Sequence, residues 1–181
     1  MVNEQSPGQE ELARRFQEYR QRIFNFALRL TGNRADAEDA AAEAFFALCR
    51  GQYAERPGAK FSTWLFTVTR NACLKRLRRK NRFLSLFAGS AEEGETDVPD
   101  DRPGSREEAE RKETEGLVQK AIRLLPVSQR EAILLREYEQ MSYQEISGVL
   151  QCSLENVKIL IFRARESLRK ELEPVLRKEK S

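Results

Sequence analysis

The sequence predicts an all-α protein built as two small helical domains joined by a flexible acidic linker. Three observations carry this. Apolar residues recur every three or four positions over most of the 181 residues, the period of a helix buried on one face. Runs alternating with a period of two are almost absent. Between about Ser85 and Ser105 the periodicity gives way to a polar, acidic stretch containing "GETDVPDDRPG", a composition that buries too little apolar surface to order itself. A chain of this length holds one ordinary domain or two small ones.

Taken in order, Leu12, Phe16, Tyr19, Ile23, Phe26, Ala27 and Leu30 form the first amphipathic stripe. Gly32 can end that helix in a left-handed cap. Asn33 can cap a second helix, with Asp36 in its first turn. This helix is expected to reach about Gly51, with Ala37, Ala40, Ala41, Ala44, Phe45 and Leu48 inward and Glu38, Asp39 and Glu43 on another face. After "RPGAK", Ser62 or Thr63 can start a third helix through Trp64, Leu65, Val68 and Ala72 to Leu77. It ends in Arg78-Arg79-Lys80, where cations suit the helix dipole. Beyond the linker, "EEAERKETEGLVQKAIRLL" is helical and stops at Pro126. A further helix is expected from Ser128 to Glu139. Ser142 and Glu145 have the spacing of a capping box, with Ile146 and Leu150 facing the core. "QCS" is then a turn, and Ser153 caps a long last helix.

Composition narrows the function. The net charge of +3 hides a polarised chain. Lys60 to Arg82 holds eight bases and no acid, whereas Ser85 to Glu115 holds eleven acids against four bases. One surface therefore favours a polyanion and one segment avoids or mimics it. Cys49, Cys73 and Cys152 lie far apart in apolar patterns, and there is no histidine. No metal site or cofactor is expected, and the cysteines read as buried reduced thiols. The polar start MVNEQSPGQEE does not resemble a signal peptide, and no apolar run reaches membrane-spanning length. A cytoplasmic protein without direct membrane insertion is expected.

The two helices joined by "QCS" have the form of a helix-turn-helix. In that motif the second helix enters the major groove by its N-terminal turns. Leu154, Glu155, Asn156 and Lys158 would then lie nearest the bases, with Arg163, Arg165, Arg169 and Lys170 able to meet phosphate. From the pattern alone, a plain helical hairpin with a solvated basic face remains open.

The stretch "LPVSQREAILLREYEQMSYQEISGVLQCSLENVKILIFRARESLRKEL" resembles region 4 of bacterial sigma factors, the specificity subunits of RNA polymerase. "YRQRIFNFALRLTGNRADAEDAAAEAF" resembles regions 2.1 and 2.2, and "KFSTWLFTVTRNACLKRLRRKNR" resembles regions 2.3 and 2.4. Two blocks in the right order around an acidic linker are more specific than either alone. The short length resembles the extracytoplasmic-function (ECF) group of the sigma-70 family.

The resemblance implies a region 2 domain over residues 10–84, a linker over 85–112 and a region 4 domain over 113–174. It implies that Asp39, Glu43 and Phe45 dock on the clamp helices of the polymerase's largest subunit, with region 4 on the flap. Family members carry bulky aliphatics and a glutamine where this chain has Ala40, Ala41 and Ala42; either tight helix packing or a weaker clamp contact would result. Tyr53 and Asn71 would hold a flipped base of the minus-ten element. Lys60, Arg70, Lys75, Arg76, Arg78 and Arg79 would hold strand phosphates beside the aromatic Phe61 and Trp64, because captured single strands need cations and stacking surfaces. Trp64's spacing to Leu65 and Val68 equally suits a core position. Arg136, Tyr143, Lys158, Phe162 and Arg163 match contacts to the minus-thirty-five duplex, with Glu155, Asn156 and Arg165 beside them. Relatives have serine-arginine where this chain has Ile159-Leu160. These aliphatics could touch a thymine methyl or dock an anti-sigma factor, and Leu160 is expected exposed. The acidic linker would be a nucleic-acid mimic near the polymerase active site or a solubilising tether.

The resulting expectation is an alternative sigma factor, not an enzyme. It would bind core RNA polymerase and promoter DNA, be held by an anti-sigma factor, and take no small-molecule substrate. A stand-alone helix-turn-helix regulator is the alternative, but it needs neither the strand-capturing basic helix nor the acidic docking face.

Overall fold

The stripe from Leu12 to Leu30 forms α1 (Pro7–Thr31), which Gly32 ends at φ +68°. The Asn33 side chain accepts from the Asp36 N–H at 2.9 Å and starts α2 (Arg34–Cys49). In this computed structural model residues 7–54, 60–86 and 106–178 are described. The third helix, α3 (Phe61–Leu86), is longer than its sequence pattern predicts. Then follow α4 (Arg106–Leu124), α5 (Val127–Glu137), α6 (Tyr143–Leu150) and α7 (Leu154–Lys178). No strand occurs among the described residues. Most of the linker (87–105) lies outside them, as does its expected flexibility.

The first three helices pack on one another, and so do the last four. In the first unit Ile23, Phe26, Leu30, Leu65 and Phe66 are fully buried, with Phe26 and Phe66 edge to face at 5.4 Å. Ala37, Ala40, Ala44 and Ala47 are buried on α2, where small side chains let its backbone lie close to its neighbours. In the second unit Leu134, Leu135, Ile146, Val149, Val157 and Ile161 are buried. Each such aliphatic contributes about 1.5–3 kcal/mol by leaving water. Trp64 is half-buried and packs on the core, as its spacing suggests.

Both hydrogen bonds of the capping box are present: Glu145 N–H to Ser142 Oγ at 3.2 Å and Ser142 N–H to Glu145 Oε2 at 2.8 Å. Gln151 stops α6 at φ 56° in the turn before α7, and Ser153 Oγ accepts from the Asn156 N–H. The helix expected to reach Glu139 ends two residues sooner, because Gln140 turns left-handed at φ 54°.

The two units are not separate bodies. Helix α3 packs on α6, and α1 packs on α4 and α5. The approach at Gly148 is close enough that an added Cβ would lie 3.0 Å from Thr63 Cγ2. The expectation of three buried thiols is corrected in part. Cys73 is buried, and burial pushes its thiol up to about 12; Cys152 is half-buried, and Cys49 is exposed at the end of α2.

Candidate nucleic-acid interface

The acid-free run falls on α3 and its approach. Tyr53, Phe61 and Trp64 form one aromatic cluster, with ring centroids 5.1 Å apart for Tyr53–Phe61 and 5.2 Å for Tyr53–Trp64. Phe61 is buried within it, leaving Tyr53 and Trp64 as the half-exposed members. About two turns on from Trp64, Asn71 is exposed, and Lys75, Arg78 and Arg79 follow, exposed on the same helix. Arg76 differs from the other cations. It is turned back on α2, donating to Glu43 at 3.1 Å and to the Ala72 carbonyl at 2.9 Å, with Asp39 at 3.8 Å.

Two of the cations expected to hold strand phosphates instead hold carboxylates of the second unit. Arg70 donates twice to Glu131, from Nε and Nη2, each at 2.8 Å. Only 14 % of the Arg70 side chain and 5 % of the Glu131 side chain are exposed. Such a bidentate pair fixes geometry as well as charge. Lys60 donates to Glu145 at 2.8 Å. Glu145 therefore serves α6's cap and the contact with the first unit together. The Lys60 ammonium first, then the Ser142 hydroxyl and N–H, hold its carboxyl down at about 2.

A third link joins Arg22 of α1 to Glu139, at 2.9 Å to the carboxylate and 3.1 Å to the carbonyl. Burial raises the Glu139 carboxyl against the pull of Arg22. Arg22 itself lies over the Tyr19 ring at 5.0 Å. Arg130 adds a bond to the Leu30 carbonyl at 2.9 Å, and Arg29 stacks on Tyr138 at 4.2 Å.

In the second unit α7 buries Val157, Ile161 and Ala164 and exposes Glu155, Asn156, Lys158, Ile159, Phe162 and Arg163. Leu160 is not exposed as expected. It is half-buried and packs on the core, being one step round the helix from buried Ile161. Arg136 spans the α5–α6 turn, donating to the Met141 carbonyl at 2.8 Å with its guanidinium 5.2 Å from the Tyr143 ring centre. Arg165 is paired with Glu137 at 2.7 Å, which raises its already high pKa.

The three residues expected to dock on polymerase are split. Asp39 and Glu43 face Arg76, whereas Phe45 packs on Phe16 at 4.9 Å and lines a groove of about 790 Å³ between α1 and α2. Ala41 and Ala42 line the same groove beside Phe24 and Arg20, while Ala40 is buried. Ala40 thus packs tightly, as one of the two readings expects. Sequence reasoning missed Arg22, Arg130, Glu131 and Glu139. Their partners in the other unit lie 61 to 117 residues away, so no spacing signal links them. Among the described residues no group of three or more acidic or sulfur ligands could hold a metal, and no helix is long and apolar enough to cross a membrane.

Two family models match, sigma-70 region 2 over residues 15–83 and sigma-70 region 4 over residues 115–168. RNA polymerase sigma-H factor of Pseudomonas aeruginosa is 34 % identical over 163 residues, covering 88 % of this chain and 84 % of that one. The ECF RNA polymerase sigma factor SigW of Bacillus subtilis is 32 % identical over 158 residues, covering 85 % and 84 %. The fold is similar to that of the sigma factor RpoE of Bartonella quintana, solved with the anti-sigma factor NepR. The TM-score is 0.74 at 22 % identity, over 91 % of this chain and 98 % of that one. It is also similar to CnrH, solved with the cytosolic domain of CnrY, with a TM-score of 0.64 at 23 % identity over 92 % and 90 %. With regions 2 and 4 matched in order and relatives at this identity matched over 84 % of their length, the chain belongs to the sigma-70 family of RNA polymerase sigma factors, in its ECF group, and acts as an alternative sigma factor in transcription initiation.

Proposed function

We propose that this sigma factor recognises its promoters with two separate surfaces and does so only on core RNA polymerase. The domain over residues 10–84 captures the melted minus-ten strand. Tyr53 and Asn71 seat a flipped base beside Trp64, and Lys60, Arg70, Lys75, Arg78 and Arg79 hold phosphates. The domain over 113–174 reads the minus-thirty-five duplex with the outer face of α7, and residues 85–112 tether the two. Phe45 and the groove beside it, with Asp39 and Glu43 on the neighbouring face, meet the largest subunit's clamp helices, and region 4 meets the flap. The protein works in the cytoplasm and carries out no catalysis of its own. An anti-sigma factor is a partner, in keeping with the sigma–anti-sigma complexes of similar fold.

The observation that carries this reading is the exposure of Asn71, Lys75, Arg78 and Arg79 on one acid-free helix beside half-exposed aromatics. A strand-capturing groove combines these two elements. In the described arrangement Lys60 and Arg70 hold Glu145 and Glu131, so strand capture exchanges those carboxylates for phosphates and parts the two units.

The test compares free chain with polymerase-bound chain. The free protein binds promoter duplex weakly, because neither small module alone has the interface area of a strong stand-alone reader, and adding core polymerase produces tight, site-specific binding. Tight site-specific binding by the free chain alone would favour a stand-alone regulator.

A further inference from the structure

The outward face of α7 has an apolar centre. At 3.6 residues per turn Ile159 lies about 160° from both Val157 and Ile161, the residues that bury α7's inner edge. It is therefore the midpoint of the exposed face, 47 % exposed, with Phe162 at 67 % beside it. Around them stand Glu155, Asn156, Lys158 and Arg163, all exposed. Helix α7 makes no substantial contact with α1, α2 or α3. This face is thus not what the ion pairs between the units cover.

An isoleucine at the centre of such a face stays in water unless a partner supplies apolar surface. In the major groove one group does so on a base edge, the C5 methyl of thymine. Asn156, one turn before Ile159, is of the type that pairs with adenine N6 and N7. Lys158 and Arg163 carry the charge that a phosphate or guanine accepts. A protein-docking patch would need a wider apolar area, whereas here two side chains sit within a polar and basic ring.

We infer that Ile159 is a specificity-determining residue that reads thymine methyl groups in the upstream promoter duplex, with Phe162 as the adjoining wall. The inference rests on the reading of α7 as the duplex-binding helix. Half-buried Leu160 takes no part.

The test uses core polymerase loaded with the full chain. Upstream duplexes are first selected from a randomised pool. Each selected thymine is then replaced singly by deoxyuridine, which lacks only the methyl. The expected result is about a fourfold weakening at one or two adjacent positions, the effect of removing one buried methyl group. Ile159→Ala should abolish thymine–uracil discrimination at those positions and leave the others unchanged, and Ile159→Val should retain it. Site selection without any thymine–uracil discrimination would overturn the inference while leaving the duplex-reading role intact. Discrimination that survives Ile159→Ala would also overturn it, and an anti-sigma contact would then be the better use of the face. Failure to enrich any upstream sequence would remove the duplex-reading role, and the inference with it.

Discussion

Glu131→Gln should open the protein and improve its grip on a melted strand. The Arg70–Glu131 pair is bidentate at 2.8 Å and nearly buried on both sides. Glutamine keeps one acceptor but loses the charge and one of the two hydrogen bonds. Hydrogen bonds to charged groups contribute about 1.5–3 kcal/mol, so the closing equilibrium should shift by about 10- to 150-fold. The change is readable as increased radius of gyration in X-ray scattering and faster amide exchange along the α3–α6 contact. Because Arg70 is then released, affinity for a single-stranded minus-ten oligonucleotide should rise by up to the same factor. Arg70→Ala is the control. It breaks the same pair and should open the protein equally, yet it removes a phosphate contact, so strand affinity should not rise and the log–log salt slope should fall by about 0.7. Equal strand affinity in wild type and Glu131→Gln, with the units parted, would refute the idea that Glu131 occupies a phosphate's place. Units that stay together in both variants would refute the latch itself.

Three further outcomes are expected. Glu145, held at about 2 against an ordinary 4.5, lends stability that is complete above the ordinary value and lost as pH falls through 2; acid thermal melts of Glu145→Gln should lack that loss, and identical pH profiles would contradict it. Leu160→Arg should lower Tm by several degrees, because a half-buried packing residue is replaced by a cation that escapes only in part by extending to solvent, a cost of about 1–2 kcal/mol; an unchanged Tm would place Leu160 outside the core. Arg78→Ala with Arg79→Ala should weaken melted-strand binding alike across sequences, since phosphates carry no base information, while Asn71→Ala should flatten preference at one base in a filter-binding series; an intact preference would put the flipped-base pocket elsewhere.

What could be read from the residues was local. The caps at Asn33 and Ser142, the left-handed Gly32 and the inward faces of α2 and α6 each follow from neighbours within four positions, and the structure has them. Helix ends were less legible. Helix α3 continues to Leu86 because nothing after Lys80 breaks it, and α5 stops early through a left-handed glutamine that carries no breaker signal. The candidate site was legible as a set of residue types but not as an assembly. Glu131 reads as an ordinary surface residue of α5 until Arg70, 61 residues away, is seen against it. Leu160 could not be assigned from periodicity because it borders the buried stripe, and the tertiary packing decided it. Asp39, Glu43 and Phe45 share one helix but face two neighbours, which a linear motif does not reveal.

Run-off transcription from core polymerase on a genomic promoter library, with and without this chain, tests promoter-specific initiation most directly. The account predicts a discrete set of start sites that appears only when the chain is added, each with a shared upstream and minus-ten sequence. It also predicts that Asn71→Ala with Arg78→Ala and Arg79→Ala loses those start sites on closed duplex while still binding core polymerase. Start sites unchanged by the chain, or a chain that binds these promoters equally well without polymerase, would contradict it.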